Sequence, residues 1–290
     1  MRKLVVKFST DMIHSQKTFV KHFFEKYMFN LHTHTIRCCH ATGRDEEYVT
    51  TAIKNGYSIL GFADHAPYIY PNGYYSGMRM MPAEAEDYAQ SINGLKEKYK
   101  GKIKILQGFE LEYYPALLEN ENAFLKAVGY DYLILAQHFS DNEHEDCSIY
   151  FGAPTKSEDV MKRYINQLLE GARKGIFLYV AHPDLINYTG DESIYLKNME
   201  YFLEQLKELD LPIEFNMLGF CEKRHYPNKK FWQLASKVGN KVVIGVEAHS
   251  PKSLSQIAKR RKATELLEEL GITPLTDEEI MQHYEATKKD

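Results

Sequence analysis

The sequence has no hydrophobic run long enough to cross a lipid bilayer. Its longest apolar stretches, near residues 132–136 and 176–181, are the length of a single strand. Only three apolar residues separate the basic start of the chain from Lys7, too few for the core of a secretory signal peptide. The four cysteines show no zinc-finger spacing, and the adjacent Cys38 and Cys39 are not expected to bridge one another. We therefore predict a cytoplasmic protein with reduced thiols.

The sequence also lacks an excess of positive charge. It has 36 Lys and Arg against 40 Asp and Glu, and its formal net charge is −4. No basic stripe is present, so a long nucleic acid is not an expected partner. Nothing in the sequence indicates an oligomeric state. Apolar residues make up 44% of the chain, which is enough for a substantial core.

What is present is a regular alternation of strand-like and helix-like segments. Strands are predicted at residues 29–33, 58–63, 103–110, 132–137, 177–181, 212–215 and 242–246. Helices are predicted at residues 46–55, 82–99, 116–127, 157–174, 193–209, 229–238 and 253–270. Glycines follow several of these helices, where a left-handed cap residue is favoured, at positions 56, 101, 129, 175 and 239. This alternation predicts an α/β fold with a parallel sheet.

Domain boundaries are weakly marked. No linker rich in Pro, Gly or Ser divides the chain and no internal repeat is evident, so residues 29–290 are predicted to form a single domain. Residues 1–28 are predicted to be an N-terminal extension. The spacing of Phe19, Phe23, Phe24 and Tyr27 in that segment predicts an amphipathic helix.

Potential metal ligands cluster at the ends of the predicted strands. His32 and His34 are two residues apart, so their side chains would project from one face of a strand. His40 lies six residues further on, where it could reach a neighbouring ion. The later strands end in Asp64 with His65, Glu110, His138, His182, and Glu247 with His249. A lone histidine at a strand end is more often a hydrogen-bonded loop residue, but six strands ending in this way predict a metal site at one rim.

These strand ends carry a resemblance to a known family. Residues 29–250 resemble the polymerase and histidinol phosphatase (PHP) family, and most closely its histidinol-phosphatase members. The motifs that carry the resemblance are His32-Thr-His34 with His40, Asp64-His65-Ala-Pro, Gly108-Phe-Glu110, Gln137-His138-Phe139, Ala181-His182-Pro183, Glu214-Phe-Asn216 and Gly245-Val-Glu247-Ala-His249. The resemblance implies a distorted (β/α)7 barrel with its metal site at the C-terminal rim of the strands.

The resemblance also implies a ligand set for three divalent ions. The first ion would take His32, His34, Glu110 and Glu247; the second Glu110, His138 and His182; and the third His40, His65 and His249. The family usually has Asp where this chain has Glu247. Histidine and carboxylate ligands suit zinc, iron or manganese and do not choose between them.

Three divalent ions carry six positive charges, whereas Glu110, Glu247 and Asp64 carry at most three negative charges. Such a site would therefore be net positive. The site would therefore attract a phosphate dianion. Water on such ions is deprotonated near neutral pH and supplies hydroxide for attack on phosphorus. Asp64 has two alternative roles: as the general acid that protonates the leaving alkoxide, or as a residue that orients a histidine ligand.

Cations beyond the metals are predicted to bind the substrate phosphate. The candidates are Arg163, Arg224 and Arg79, whose guanidinium forks match phosphate oxygens. Ion pairing at the surface is the commoner use of an arginine. The segment 66–81, rich in Tyr, Gly and Met, is long enough to act as a lid over the substrate.

Three functions are compatible with these residues. The leading hypothesis is a metal-dependent phosphomonoesterase that hydrolyses L-histidinol phosphate in histidine biosynthesis. The second is a phosphoesterase of the same family that acts on another small phosphate ester or nucleotide. The third is a non-catalytic metal-binding module, which would more often accompany lost ligands. A (β/α)8 amidohydrolase is the rival fold, but no Lys suited to carboxylation stands at a strand end.

Overall fold

The computed structural model describes residues 27–288, so the helix predicted in the N-terminal extension lies outside the described residues. A four-stranded parallel sheet has the order β1 (Phe29–Asn30), β2 (Ile59–His65), β3 (Lys104–Glu112) and β4 (Tyr132–Ala136). A second parallel pair consists of β5 (Ile213–Asn216) and β6 (Val242–Gly245). The sequential order of these parallel strands agrees with the predicted α/β alternation.

Single-residue bridges join the two sheets into a ring. Val180 pairs in parallel with Leu135 in β4 and with Ile213 at the start of β5. On the other side of the ring, Thr33 pairs in parallel with Ala248, just beyond β6. The ring therefore closes as the predicted distorted barrel. The segment predicted as the fifth strand, 177–181, contributes a bridge residue to this ring instead of a regular strand.

Helices surround the ring. They are α1 (Asp45–Lys54), α2 (Ala85–Lys98), α3 (Leu118–Val128), α4 (Glu158–Ala172), α5 (Glu192–Glu208), α6 (Met217–Glu222), α7 (Lys229–Val238), α8 (Ile257–Glu269) and α9 (Asp277–Thr287). The predicted helices are confirmed, with two changes. The helix predicted at 82–99 begins with a 3₁₀ helix (Pro82–Glu84) before α2, and the helix predicted at 253–270 is divided at Gln256 into a 3₁₀ helix (Pro251–Ser255) and α8. α6 and α9 were not predicted.

Local sequence signals fix the ends of these helices. The glycines predicted to follow helices, at positions 56, 101, 129, 175 and 239, all adopt positive φ, between 67° and 88°. At the start of α9, Thr276 accepts a hydrogen bond from the backbone of Glu279, whose carboxylate in turn accepts from the backbone of Thr276. This capping box is a recognisable sequence signature, so α9 could have been predicted from it.

One buried tyrosine, Tyr132, packs in the interior of the barrel. Tyr132 is buried, and its hydroxyl donates to the carbonyls of Leu31 at 2.8 Å and Phe62 at 3.2 Å. Two glycines on neighbouring strands leave room for it: a Cβ on Gly61 would lie 2.3 Å from the Tyr132 hydroxyl, and one on Gly108 would lie 2.5 Å from its carbonyl. Tyr132 thus packs the barrel below the rim that carries the predicted ligands.

The amino-terminal end of the barrel is covered by α9. Its Ile280 and Tyr284 are buried in the same cluster as Phe29, Ile59 and Leu106. This closes the barrel on the side away from the rim, which leaves the carboxyl ends of the strands as the accessible face. Among the described residues, no helix has both the length and the apolar content that a membrane span requires.

Candidate metal centre

Strand register gathers the predicted ligands at the carboxyl ends of the strands. β2 and β3 pair so that His65 lies opposite Glu110. The bridge that closes the ring sets residues 32–34 beside residues 247–249. The imidazoles of His32 and His34 have ring centroids 5.1 Å apart. The regular strand ends at Asn30, before this pair, but the two side chains still lie side by side and reach the common cluster.

The carboxylate of Glu110 lies at the centre of this cluster and is fully buried. Its Oε1 is 2.9 Å from His182 Nε2 and 3.5 Å from His32 Nε2. Its Oε2 is 2.8 Å from His65 Nδ1 and 3.7 Å from His34 Nε2. Each oxygen of this carboxylate therefore lies near imidazole nitrogens. This is the arrangement required of a carboxylate that bridges two metal ions.

Two of the imidazoles place their Nδ1 atoms against further carboxylates. His32 Nδ1 lies 2.9 Å from Glu214 Oε1, and His138 Nδ1 lies 3.1 Å from Glu112 Oε1. An acceptor in this position keeps the proton on Nδ1, so Nε2 presents its lone pair towards Glu110. Histidines that ligate metals are commonly oriented in this way.

A second pair of imidazoles is held by backbone carbonyls. His40 Nδ1 lies 2.7 Å from the carbonyl of Cys38, and His249 Nδ1 lies 3.1 Å from the carbonyl of Glu247. Both Nδ1 atoms must therefore donate, which leaves both Nε2 atoms as acceptors. These two Nε2 atoms face each other at 3.0 Å. Two lone pairs at this separation repel unless a cation lies between them.

Buried polar atoms without hydrogen-bond partners mark the same place. Among the described residues they include Nε2 of His32, Nε2 of His34, Oε2 of Glu110 and Oε2 of Glu247. Ligand atoms of His32, His34 and Glu110 all lie within 4.8 Å of one another, and so do those of His32, His182 and Glu247. Unpaired buried acceptors are costly, and cations relieve that cost. The residues present therefore fit metal ions.

Electrostatics shift the imidazoles of the cluster in two directions: the pKa values of His34, His65 and His249 are lowered, and those of His32 and His182 are raised. Burial lowers the pKa of His65 and of His249 to about 4, because the imidazolium form loses its water. Burial also holds the pKa of His34 well below its ordinary value. His32 and His182 differ: burial lowers their pKa values, but adjacent carboxylates outweigh burial, Glu214 foremost for His32 and Glu110 for His182. The pKa of His32 is thereby raised well above 6.5, and that of His182 is also raised. Neutral imidazole is the form that binds a metal.

Two of the candidate ligands have unusual backbone conformations. His182 has a φ of 29° and Glu247 a φ of 48°, and neither is a glycine. Such conformations cost about 1–3 kcal/mol each and concentrate at functional sites. The turn at His182 also ends the extended run of residues 177–181. Glu247 still brings a carboxylate oxygen into the cluster, beside His32 and His182, with the longer side chain that replaces the usual Asp.

The cluster opens into a cavity of about 430 Å³. Its lining includes five predicted ligands, namely His40, His65, His138, Glu247 and His249. The remaining lining residues are Met78, Phe139, Tyr150, Leu218, Glu222 and Arg224. The volume suits a small molecule.

The predicted phosphate-binding arginines lie in different surroundings. Arg224 lines the cavity, where its guanidinium pairs with Glu222 at 2.7 Å and donates to the hydroxyl of Tyr226 at 3.0 Å. Arg163 is half exposed on α4, pairs with Asp141 at 3.1 Å, and does not line the cavity. The structure therefore brings Arg224 to the cluster and leaves Arg163 outside it.

Arg79 is not positioned to bind substrate. Its side chain is 1% exposed, and its guanidinium donates to Glu112 Oε1 and, at 2.7 Å, to Glu143 Oε2. The structure does not support the predicted phosphate contact, because the side chain is buried, is paired with two carboxylates and does not line the cavity. The loop position of Arg79 gave no indication that it would be buried.

Asp64 is buried beneath the cluster and does not line the cavity. Its Oδ1 accepts from the backbone of His65 at 2.9 Å and lies 3.3 Å from His34 Nδ1. Its Oδ2 accepts from both the backbone and the hydroxyl of Thr35. Burial raises the pKa of Asp64 to about 7, although these donors oppose the rise. The geometry favours the orienting role over that of general acid.

Glu112 and Glu214 were not predicted as site residues. Glu214 Oε2 also accepts from the backbone of His182 at 3.1 Å and from Asn216 at 2.9 Å. The available signal was the period of two, since Glu112 follows Glu110 and Glu214 precedes Asn216 at that spacing on strands. This spacing shows that the residues share a face, but it does not identify the imidazole that each one holds.

Comparison with known proteins finds a matching family model and related sequences. A family model described as the PHP domain matches residues 30–218. A probable histidinol-phosphatase from Deinococcus radiodurans is 28% identical over 228 residues, covering 76% of this chain and 85% of the relative. A probable phosphatase from Clostridium acetobutylicum is 25% identical over 254 residues, covering 82% and 85%.

A solved structure gives the same fold. The histidinol phosphate phosphatase from Lactococcus lactis, in complex with Zn, L-histidinol and phosphate, superposes with a TM-score of 0.64. The two proteins are 21% identical, and the match covers 87% of this chain and 95% of that one. At this identity the likeness shows the fold, which is the predicted distorted barrel.

Proposed function

Because the chain belongs to the PHP domain family, we propose that it is a metal-dependent phosphomonoesterase that hydrolyses L-histidinol phosphate to L-histidinol and phosphate. The observation that carries the proposal is the set of imidazoles around the buried carboxylate of Glu110, open to a cavity for a small molecule. The histidinol-phosphatase relatives support the choice of substrate. We place the activity in histidine biosynthesis, in the cytoplasm.

The proposed metal centre holds three ions. The first is assigned to His32, His34, Glu110 and Glu247, the second to Glu110, His138 and His182, and the third to His40, His65 and His249. Zinc is present in the Lactococcus lactis relative, and iron or manganese suit the same donors. When bound, such ions lower the pKa of a coordinated water and stabilise negative charge on phosphoryl oxygens.

Arg224 is the proposed phosphate-binding cation of the protein. Its guanidinium lies at the cavity wall and is held by Tyr226, so it already points along the cavity. Its partner Glu222 is half exposed, and the two form an ion pair that a phosphate dianion can displace. The planar guanidinium then binds phosphate oxygens in place of the carboxylate.

The apolar part of the cavity wall suits the rest of the substrate. Phe139 and Tyr150 have ring centroids 5.7 Å apart, and Met78 and Leu218 complete this wall. Aromatic rings of this kind pack against an imidazole ring such as that of histidinol. The phosphate would then face the ligand cluster while the imidazole ring faces Phe139 and Tyr150.

The test combines metal analysis with a substrate screen. Protein purified without added metal is analysed for zinc, iron and manganese, and phosphate release is then measured for L-histidinol phosphate, sugar phosphates, nucleotides and p-nitrophenyl phosphate. We expect two to three ions per chain and the highest kcat/KM for L-histidinol phosphate, by about 10–200-fold, as one good pocket contact provides.

The outcomes separate the three hypotheses. Higher kcat/KM for another ester would retain the phosphoesterase and reject this substrate. A protein replete with metal that hydrolyses no ester would be a binding module. A well-folded and active preparation without metal after chelation would reject the metal centre itself.

A further inference from the structure

Arg79 lies in the segment between β2 and α2, yet it is among the most buried cations in the described part of the chain. Its side chain is 1% exposed. Nη2 donates to Glu112 Oε1, and Nε donates to Glu143 Oε2 at 2.7 Å. Two carboxylates thus share one guanidinium in a place closed to solvent, since Glu112 is fully buried and Glu143 is 5% exposed.

Glu112 connects this cation to a candidate metal ligand. Its Oε1, the atom that Arg79 contacts, lies 3.1 Å from His138 Nδ1. Its Oε2 accepts from the backbone of His138 at 3.1 Å and from the hydroxyl of Tyr114 at 2.6 Å. Glu112 therefore fixes His138 at two points, and Arg79 fixes Glu112 from the opposite side.

Glu143 connects the same cation to the mouth of the cavity. Its carboxylate accepts from Tyr70 at 3.0 Å and from Ser76, both on the segment that also carries Arg79 and Met78. Glu143 itself belongs to the segment between Phe139 and Tyr150, and Met78, Phe139 and Tyr150 line the cavity. Arg79 thus lies where two cavity-lining segments meet.

We propose that Arg79 is a positioning residue of the metal centre, which acts through Glu112 to set the orientation and tautomer of His138 and holds residues 66–81 against residues 139–150. The inference rests on the proposed metal centre and not on the identity of the substrate. Without Arg79, two buried carboxylates would face each other with no cation between them. Glu112 would then move, and His138 would lose its fixed acceptor.

The ion pair by itself is a weak explanation for a buried arginine. Removing a cation and two carboxylates from water costs several kcal/mol per ion, and apolar replacements of such pairs are often neutral or stabilising. A purely structural Arg79 would affect unfolding and leave metal binding unchanged. A positioning Arg79 would weaken the binding of one ion.

The test measures zinc affinity in the folded protein by competition with a chromophoric chelator. Arg79→Met should weaken one of the bound ions about 10–100-fold, the range found when a residue that orients a ligand is removed. Arg79→Lys keeps the charge but cannot bridge both carboxylates, so its loss should be smaller. Unchanged affinity of all ions in Arg79→Met would overturn the proposal.

Arg260 provides the matched control. It is also buried, at 5% exposed, and its guanidinium donates to the carbonyls of Phe29 and Tyr27 at 2.9 Å and of Ile244 at 3.4 Å, none of which is a proposed ligand or a residue that orients one. Arg260→Met should lower the unfolding temperature and leave zinc affinity at the wild-type value. An equal loss of zinc in both variants would mean that Arg79 acts only through general stability.

A double-mutant cycle identifies the route. If Arg79 acts through Glu112, adding Arg79→Met to Glu112→Gln should cause little further loss of zinc affinity. Nitrogen-15 chemical shifts of the His138 ring in zinc-loaded protein provide a second readout. We expect the Nδ1 shift of a protonated nitrogen in wild type and a different Nδ1 shift in Arg79→Met. Additive losses in the cycle, with an unchanged His138 spectrum, would contradict the proposed route.

Discussion

The two sides of the ligand cluster hold their imidazoles differently. On the buried side, His32 and His138 each place Nδ1 against a carboxylate, that of Glu214 or that of Glu112. On the side of the cavity mouth, His40 is exposed and donates to a backbone carbonyl, as does the partly exposed His249. His32 is fully buried and His138, which also lines the cavity, is 7% exposed, so the first pair meets less water than the second pair does.

The difference predicts unequal metal binding within one centre. A carboxylate acceptor increases the basicity of the imidazole and fixes its orientation more firmly than a neutral carbonyl does. Exclusion of water strengthens the same contacts. We therefore expect the ions bound by the carboxylate-held histidines to be retained, and the ion between His40 and His249 to exchange with solvent.

The largest effect is expected from Glu110→Gln. An amide offers one acceptor oxygen instead of two and turns an N–H towards the imidazoles, so the buried side loses its shared ligand. We expect loss of the two buried ions and a fall in kcat/KM greater than the about 100-fold typical of changes behind a ligand. Metal analysis and steady-state kinetics measure both, and wild-type metal content in this variant would contradict the central role of Glu110.

Glu222→Gln is the matched control for this change. Glu222 lines the same cavity, but its carboxylate is paired with Arg224 and it is not one of the proposed ligands. Its substitution should leave the number of bound ions unchanged. Loss of metal in both variants would mean that the charge of the cavity, and not the ligand at position 110, retains the ions.

Chelation compares the two sides directly. In a titration with a chelator, wild-type protein should release the ion at the mouth first and the buried ions later. His249→Ala should abolish the early step, while His138→Ala should keep the early step and weaken a later one. Metal content is measured at each chelator concentration. Release of all ions in a single step would show that the two sides bind with equal strength.

Gly245→Ala should displace the carboxylate that orients His32, although no proposed metal ligand is substituted. A Cβ at this position would lie 1.6 Å from Glu214 Oε1, so the carboxylate must move away from His32. We expect zinc affinity to fall about 10–100-fold at one ion, as for other changes to a residue that orients a ligand. Calorimetric competition with a chelator gives the affinity.

Gly94→Ala is its control, because the chemical change is the same. Gly94 lies within α2, and a Cβ there would meet nothing within 4 Å. The substitution should leave zinc affinity unchanged and stabilise the fold by about 0.5–1 kcal/mol, through the lower entropy of the unfolded chain. If Gly245→Ala also left zinc affinity unchanged, Glu214 would not be required for the position of His32.

The location of the site could be predicted from the sequence because it follows from topology. Parallel strands bring their carboxyl ends to one rim, so any ligand at a strand end must lie there. His32, Glu110 and His182 were gathered for this reason. The predicted helices and their glycine caps were confirmed for a similarly local reason, since each signal lies within a few residues of the structure that it determines.

The acceptors behind the imidazoles could not be predicted in the same way. His32 and Glu214 are separated by 182 residues along the chain, and their contact depends on rotamers as well as on strand order. Arg79 was a candidate for phosphate binding because it lies in the long loop after the second predicted strand, which could face the rim, but in the structure its guanidinium pairs with two carboxylates. Contacts of this kind depend on how loops pack, for which a single sequence carries no periodic signal.

The smallest of these effects is expected from Asp64→Asn, which tests the geometry beneath His34. Asp64 accepts from Thr35 and from the backbone of His65, and its Oδ1 lies 3.3 Å from His34 Nδ1. The amide is nearly isosteric, so the fold should survive. The amide has one acceptor oxygen where the carboxylate has two, so the contact with either Thr35 or His34 is weakened.

The choice of substrate separates the two roles of Asp64. A general acid matters for a basic leaving group such as the alkoxide of histidinol and matters little for p-nitrophenolate. A positioning residue affects both substrates alike, because it acts on the metal ligand. We therefore expect Asp64→Asn to lower kcat/KM about tenfold for both esters, at the low end of the effect of a residue that orients a ligand, with a small loss of bound metal. A drop confined to L-histidinol phosphate, with full metal content, would restore Asp64 as the general acid despite its burial.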